Sequence, residues 1–142
     1  CSTPEIAMKI LFAALGLACA SPALAEDLIW FRAPSNNIHC VIDTGWSLAR
    51  CDILEVTKQS FRTPPADCDL DWGHAFEITA TGRKGNPACV GDTVANPDAM
   101  VLNYGQEVTL GGLTCRSEKT GMTCLNPAGH GFTIAKGGQK IF

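Results

Sequence analysis

The chain has 142 residues, a formal net charge of −3 and 46% hydrophobic residues. That length suits one domain with a modest core. The acidic balance excludes a nucleic-acid partner, because a phosphate-backbone binder needs a basic face.

Read from Met8, the chain opens with the three parts of an export signal. Lys9 is the positive start, Ile10 to Ala20 an apolar run too short to cross a bilayer as a helix, and Ala23-Leu24-Ala25 a small-residue cleavage pattern. Cleavage is expected near Ala25, leaving residues 26–142 as a single β domain that does not span a membrane, periplasmic or secreted. Residues 1–25 are upstream sequence and signal. A lipidated Cys19 is not expected, since Gly16 stands where a lipobox has Leu.

Beyond Ala25 the pattern is strand and turn. Leu28 to Phe31 is a short apolar strand, Pro34 to Asn37 a turn, and Ile38 to Ile42 a second strand. Asp43-Thr44-Gly45 turns the chain back into Trp46 to Leu54, so Cys40 and Cys51 face each other across a hairpin. Residues 54–61 hold one helical turn at most. Thr63-Pro64-Pro65 breaks the chain, and Ala75 to Thr81 alternates as a half-buried strand. Asn-Pro steps at Asn86, Asn96 and Asn126 favour turns. Leu113 to Cys124 echoes the first hairpin, with Cys115 answered by Cys124 two residues sooner than Cys40 is by Cys51. The echo fits either two related halves or convergence on hairpin chemistry. Phe132-Thr133-Ile134 is a final alternating run. The fold expected is all-β, a small disulfide-stabilised sandwich or barrel built from two cysteine-closed hairpin halves.

Six cysteines follow Ala25, namely Cys40, Cys51, Cys68, Cys89, Cys115 and Cys124. An even set in a short exported chain reads as a disulfide framework. The hairpins favour Cys40–Cys51 and Cys115–Cys124, and Cys68–Cys89 follows by elimination.

The order of motifs resembles a family of small secreted bacterial proteins of unknown function. Its pattern runs F-x-S-P-S-G-N-I-x-C, R-C-D-I, D-W-G, C-x-G-D-T, Y-G, G-G-x-T-C, G-x-T-C-x-N and G-H-G-F. The chain answers with Phe31 to Cys40, Arg50 to Ile53, Asp71 to Gly73, Cys89 to Thr93, Tyr104-Gly105, Gly111 to Cys115, Gly121 to Asn126 and Gly129 to Phe132. Ala33 replaces the usual Ser and Asn36 the usual Gly. The resemblance implies a secreted or periplasmic disulfide domain and assigns no activity.

Chemical motifs are sparse. Asp67, Asp69 and Asp71 start like a calcium loop, but Trp72 and Ile78 occupy the places of its Gly and bidentate Glu. His39, His74 and His130 lack zinc-ligand spacing. No metal or cofactor is therefore expected. Neither a G-x-S-x-G elbow nor a C-x-x-C pair occurs. The speculative functional residues are His74, His130, Asp69 and Asp71, the bland alternative for His130 being a ring hydrogen-bonded in a tight loop. Trp30, Trp46, Trp72 and Tyr104 suit a binding platform, although most aromatics of so small a chain are expected in the core. The function expected is a non-enzymatic binding or structural domain, its partner an envelope or extracellular protein or a glycan. The alternatives are an inhibitor of an extracellular hydrolase, presenting a loop such as Gly91 to Tyr104, and a small hydrolase built on a histidine–carboxylate cleft.

Overall fold

The computed structural model describes residues 16–19 and 27–142; cleavage at Ala25 lies outside them. Among these described residues eleven strands form two sheets. The first comprises β1 (Leu28–Arg32), β2 (Ile38–Asp43), β3 (Leu48–Ile53), β4 (Ala75–Thr79), β5 (Asn86–Pro87) and β6 (Met100–Val101). Its spatial order is β5-β4-β3-β2-β1-β6, and β6 joins β1 in parallel. The second is a meander of β7 (Glu107–Leu110), β8 (Leu113–Glu118), β9 (Gly121–Leu125), β10 (Gly131–Ala135) and β11 (Gly138–Ile141).

The sheets lie face to face and do not close into a barrel. Alternation explains the layer between them, because every second side chain of a strand points to one face. Register aligns Phe31, Cys40, Cys51, Phe76 and Pro87 in one row. Across the core, Val108, Cys115, Cys124, Phe132 and Ile141 align in another. Phe76 and Phe132 meet with centroids 6.2 Å apart, and Phe61 closes on Phe76 edge-on at 5.6 Å.

Within residues 27–142 three disulfides form, Cys40–Cys51, Cys68–Cys89 and Cys115–Cys124. The first and last link directly opposed residues whose Cα atoms are 4.1 Å apart. That spacing matches the closer, non-hydrogen-bonded pair of an antiparallel ladder. The two hairpins thus confront each other across the sandwich, with Cys51 Sγ 3.5 Å from Cys124 Sγ. Three disulfides fit an oxidising compartment.

Two expectations are corrected, that Trp46 starts the return strand and that most aromatics are buried, while residues 54–61 stay within the limit of one helical turn. Residues 54–61 contain no helix; they form a strap between the sheets. Along it, Thr57 N–H donates to Lys136 O, Ser60 N–H to Gln139 Oε1, and Gln139 N–H to Ser60 Oγ. Trp46 belongs to the turn before β3 and is exposed. The buried rings are those of Phe31, Phe76 and Phe132, whereas Trp30, Trp46 and Tyr104 lie at the surface. Asn36, standing where the resembling pattern has Gly, takes a φ of 61°. It therefore keeps the left-handed turn that Asn tolerates.

Candidate functional site

Strand polarity gives the sandwich two ends. One carries the turns 33–37, 119–120 and 136–137 with the start of the strap at Leu54 and Glu55. The other carries the turns 44–47, 80–85, 111–112 and 126–130, together with Asp27, where the described domain begins.

At the first end lies a recess of about 580 Å³. Ser35, Asn36 and Asn37 reach it from the β1–β2 turn, and Glu118, Lys119 and Gly121 from the β8–β9 turn. Leu54 and Tyr104 add apolar surface, being 49% and 40% exposed. The walls are fixed by the chain itself. Asn37 Nδ2 donates to Glu55 O at 3.0 Å, while Glu55 N–H donates to Asn37 Oδ1 at 2.7 Å. Glu55 then pairs with Lys136 of the opposite sheet at 3.0 Å. Glu118 is taken by Arg116 at 2.6 Å, whereas Lys119 forms no ion pair among the described residues. Tyr104 sits on the crossing from β6 to β7, held by Gly105 N–H donating to Ser117 O. A preformed concavity with one ring, amide and hydroxyl groups and one unpaired ammonium suits a polar ligand with an apolar edge.

The outer face of the first sheet carries the densest polar network. Segment 92–101 crosses β3, β2 and β1 in turn. Arg50 holds Asp52 with two hydrogen bonds, from Nε at 2.9 Å and Nη2 at 3.1 Å, and Asp92 Oδ1 at 3.0 Å. Asp52 Oδ2 also accepts from Thr93 Oγ1 and Val94 N–H, both at 3.0 Å. Asn96 N–H donates to His39 Nδ1, so the ring proton lies on Nε2 and is donated to Asn36 O. Burial opposes the Arg50 charge, but the hydrogen bonds and charges of Asp52 and Asp92 prevail and hold its pKa above the ordinary value. The hydrogen bond from Arg50 and its charge lower the pKa of Asp92.

A second recess of about 380 Å³ beside this network is lined by Asp71, Trp72, His74, Asp92 and Thr93. It brings together two of the sequence candidates, His74 and Asp71. Asp69 is exposed on the loop closed by Cys68–Cys89 and does not line it. His130 lies at the far end of the sandwich, in the β9–β10 turn. Its loop is held by Asn126, not by its ring. Asn126 Oδ1 accepts from Ala128 and His130 N–H, and Nδ2 donates to Thr79 O and Gly82 O. Among the described residues, one group of three metal-ligating atoms lies within 4.8 Å, that of Cys40, Cys51 and Cys124, all in disulfides. Asp67, Asp69 and Asp71 do not converge in this way.

Sequence reasoning missed Asn37, Glu55, Lys119 and Lys136, since the recess joins five segments distant in the chain. Only Tyr104 carried a signal, as one of few aromatics.

Fold and disulfides define the class, a small cysteine-braced β-sandwich with preformed surface recesses. The chain belongs to a family of unknown function, DUF6636, whose model matches residues 9–142. No curated protein and no solved structure matches it. Among the described residues no helix is long and apolar enough to cross a membrane.

Proposed function

We propose that this chain is an exported, non-enzymatic binding domain that holds an envelope or extracellular glycan in the 580 Å³ recess. The observation that carries the reading is the exposed Tyr104 ring beside Ser35, Asn36 and Lys119 in walls already tied across the sheets. Sugars offer an apolar ring face with hydroxyls around it, so a tyrosine and short polar side chains are complementary to them. A fixed cavity also loses little conformational entropy on binding. The inhibitor alternative gains nothing from segment 91–104, which lies along the sheet through Asp52, His39 and β1.

The test is glycan-array screening of the oxidised protein, followed by titration of the best ligand against Tyr104→Ala and Lys119→Gln. A loss of tenfold or more with unchanged thermal midpoints is expected. Retention of a protein but no glycan, or binding indifferent to both substitutions, would sink it.

A hydrolase is the second reading, favoured by the recess shared by His74 and Asp71. Against it, Arg50, Thr93 and Val94 already engage the carboxylates of Asp52 and Asp92. Turnover of a glycoside or ester panel that His74→Ala abolishes would establish it.

A further inference from the structure

We infer that the end of the sandwich opposite the recess docks on an anionic phospholipid surface, with Trp46 as its interfacial anchor. Trp46 is 79% exposed, at the tip of a braced turn. Gly45 and Trp46 N–H both donate to Asp43 Oδ1, Ser47 N–H donates to Thr44 O, and Thr44 N–H donates to Asp27 O. The next turn is tied to this one by Ala80 N–H donating to Ser47 O, and it carries Arg83 and Lys84. Neither of these cations forms an ion pair among the described residues. Gly85 N–H donates to the carbonyl of Phe142, a second exposed ring, with Lys140 Nζ 5.9 Å from its centroid.

Trp at a membrane–water boundary keeps its ring among lipid and its N–H near water, and basic side chains beside it meet anionic headgroups. Among the described residues Arg83, Lys84 and Lys140 stand here against Asp27 and Asp43, and Asp43 Oδ1 already accepts two backbone hydrogen bonds. The preceding chain supplies an independent reason for this orientation. Residues 1–26 join the domain at Asp27, on this end, and the apolar run Ile10 to Ala20 stops seven residues before it. Seven extended residues reach about 25 Å at most. While that run is in a membrane, this end is the one kept near the bilayer. After cleavage, Trp46 and its neighbouring cations are what would hold the orientation, leaving the recess turned outward.

The experiment uses the exported protein, its N-terminus defined by intact mass. Two single-tryptophan forms are compared in vesicles containing brominated lipid: Trp30→Phe/Trp72→Phe, which retains Trp46, and Trp46→Phe/Trp72→Phe, which retains Trp30. Quenching of Trp46 at least twofold stronger than of Trp30 is expected in vesicles rich in phosphatidylglycerol. Arg83→Gln/Lys84→Gln or high salt should halve it or more. Equal quenching of both tryptophans, no quenching, or the same result in neutral phosphatidylcholine overturns the inference. So does a concentration-dependent blue shift of Trp46 without lipid, which marks a second copy as the partner. Should Trp72→Phe fail to fold, hydrogen exchange on the unsubstituted protein decides instead. Slowed exchange at 44–47 and 80–84 on adding anionic vesicles supports docking, and unchanged exchange refutes it.

Discussion

Arg50 and Asp52 lie two residues apart on the outer face of β3, both nearly buried, with Asp92 clamped from the loop above. A buried ion pair is weak evidence for stability, yet removing one partner leaves an uncompensated charge. Arg50→Met should therefore cost about 3–5 kcal/mol, measured by urea unfolding. Arg50→Lys should recover only part of that, because an ammonium cannot reproduce the two-pronged contact. Asp92 behaves differently, its side chain being 79% exposed. Its pKa is lower folded than unfolded, so it binds a proton more weakly in the native state. The stability it contributes is complete above the unfolded value near 3.9 and fades as pH falls through the folded value. Asp92→Asn should lose less than about 1 kcal/mol at neutral pH, converging on the parent in acid. Denaturant midpoints from pH 7 to 2 check this; a gap that widens in acid would contradict it. Gly131 shows a steric limit. A Cβ there would lie 1.8 Å from Cys124 O, whereas one on Gly137 meets nothing within 4 Å. Gly131→Ala should abolish soluble expression or lower the thermal midpoint by well over ten degrees, and Gly137→Ala should leave it nearly unchanged.

At the scale of elements, the first hairpin was legible because turn residues, alternation and a cysteine on each strand agree. Cys40 opposing Cys51 and Cys115 opposing Cys124 follow from that agreement. Less legible were the elements lacking alternation. β5 and β6 are two residues each, and β6 exists because segment 92–99 delivers Met100 alongside Phe31 after crossing three strands. Nothing local in Met100-Val101 specifies a parallel partner on β1. The strap was opaque for the same reason, since its order depends on Gln139, 79 residues beyond Ser60. Gln139 is buried, accepts from Ser60 N–H, and donates to Lys58 O and Ala135 O. Truncating it removes three part-buried hydrogen bonds, each worth about 0.5–1.5 kcal/mol net. Gln139→Ala should thus destabilise by about 2–4 kcal/mol and raise protease sensitivity first in residues 54–62, read by limited proteolysis with mass analysis. Cleavage starting elsewhere would show that the strap is held by other contacts.

For the whole molecule, the open question is whether the two hairpins are separable halves. The sequence echo invites that view, but the interior opposes it. Phe76 of one sheet meets Phe132 of the other, and Cys51 meets Cys124, so neither hairpin buries its inner row without its counterpart. Asn126 of the second sheet also donates to Thr79 O and Gly82 O of the first, and the strap fastens the opposite end. Small domains with one shared core unfold as one unit. The oxidised protein should show a single transition, with tryptophan fluorescence and far-ultraviolet circular dichroism coinciding in midpoint. Removing either hairpin disulfide should shift that transition without splitting it. Loops of 11 and 9 residues place the loss near 2–4 kcal/mol for each bond. The double removal should depart from the sum by about 0.5 kcal/mol or more, because the sulfurs are in contact and share one pocket. Two resolved transitions, or strict additivity of the disulfide losses, would instead mean that the hairpins fold as independent halves.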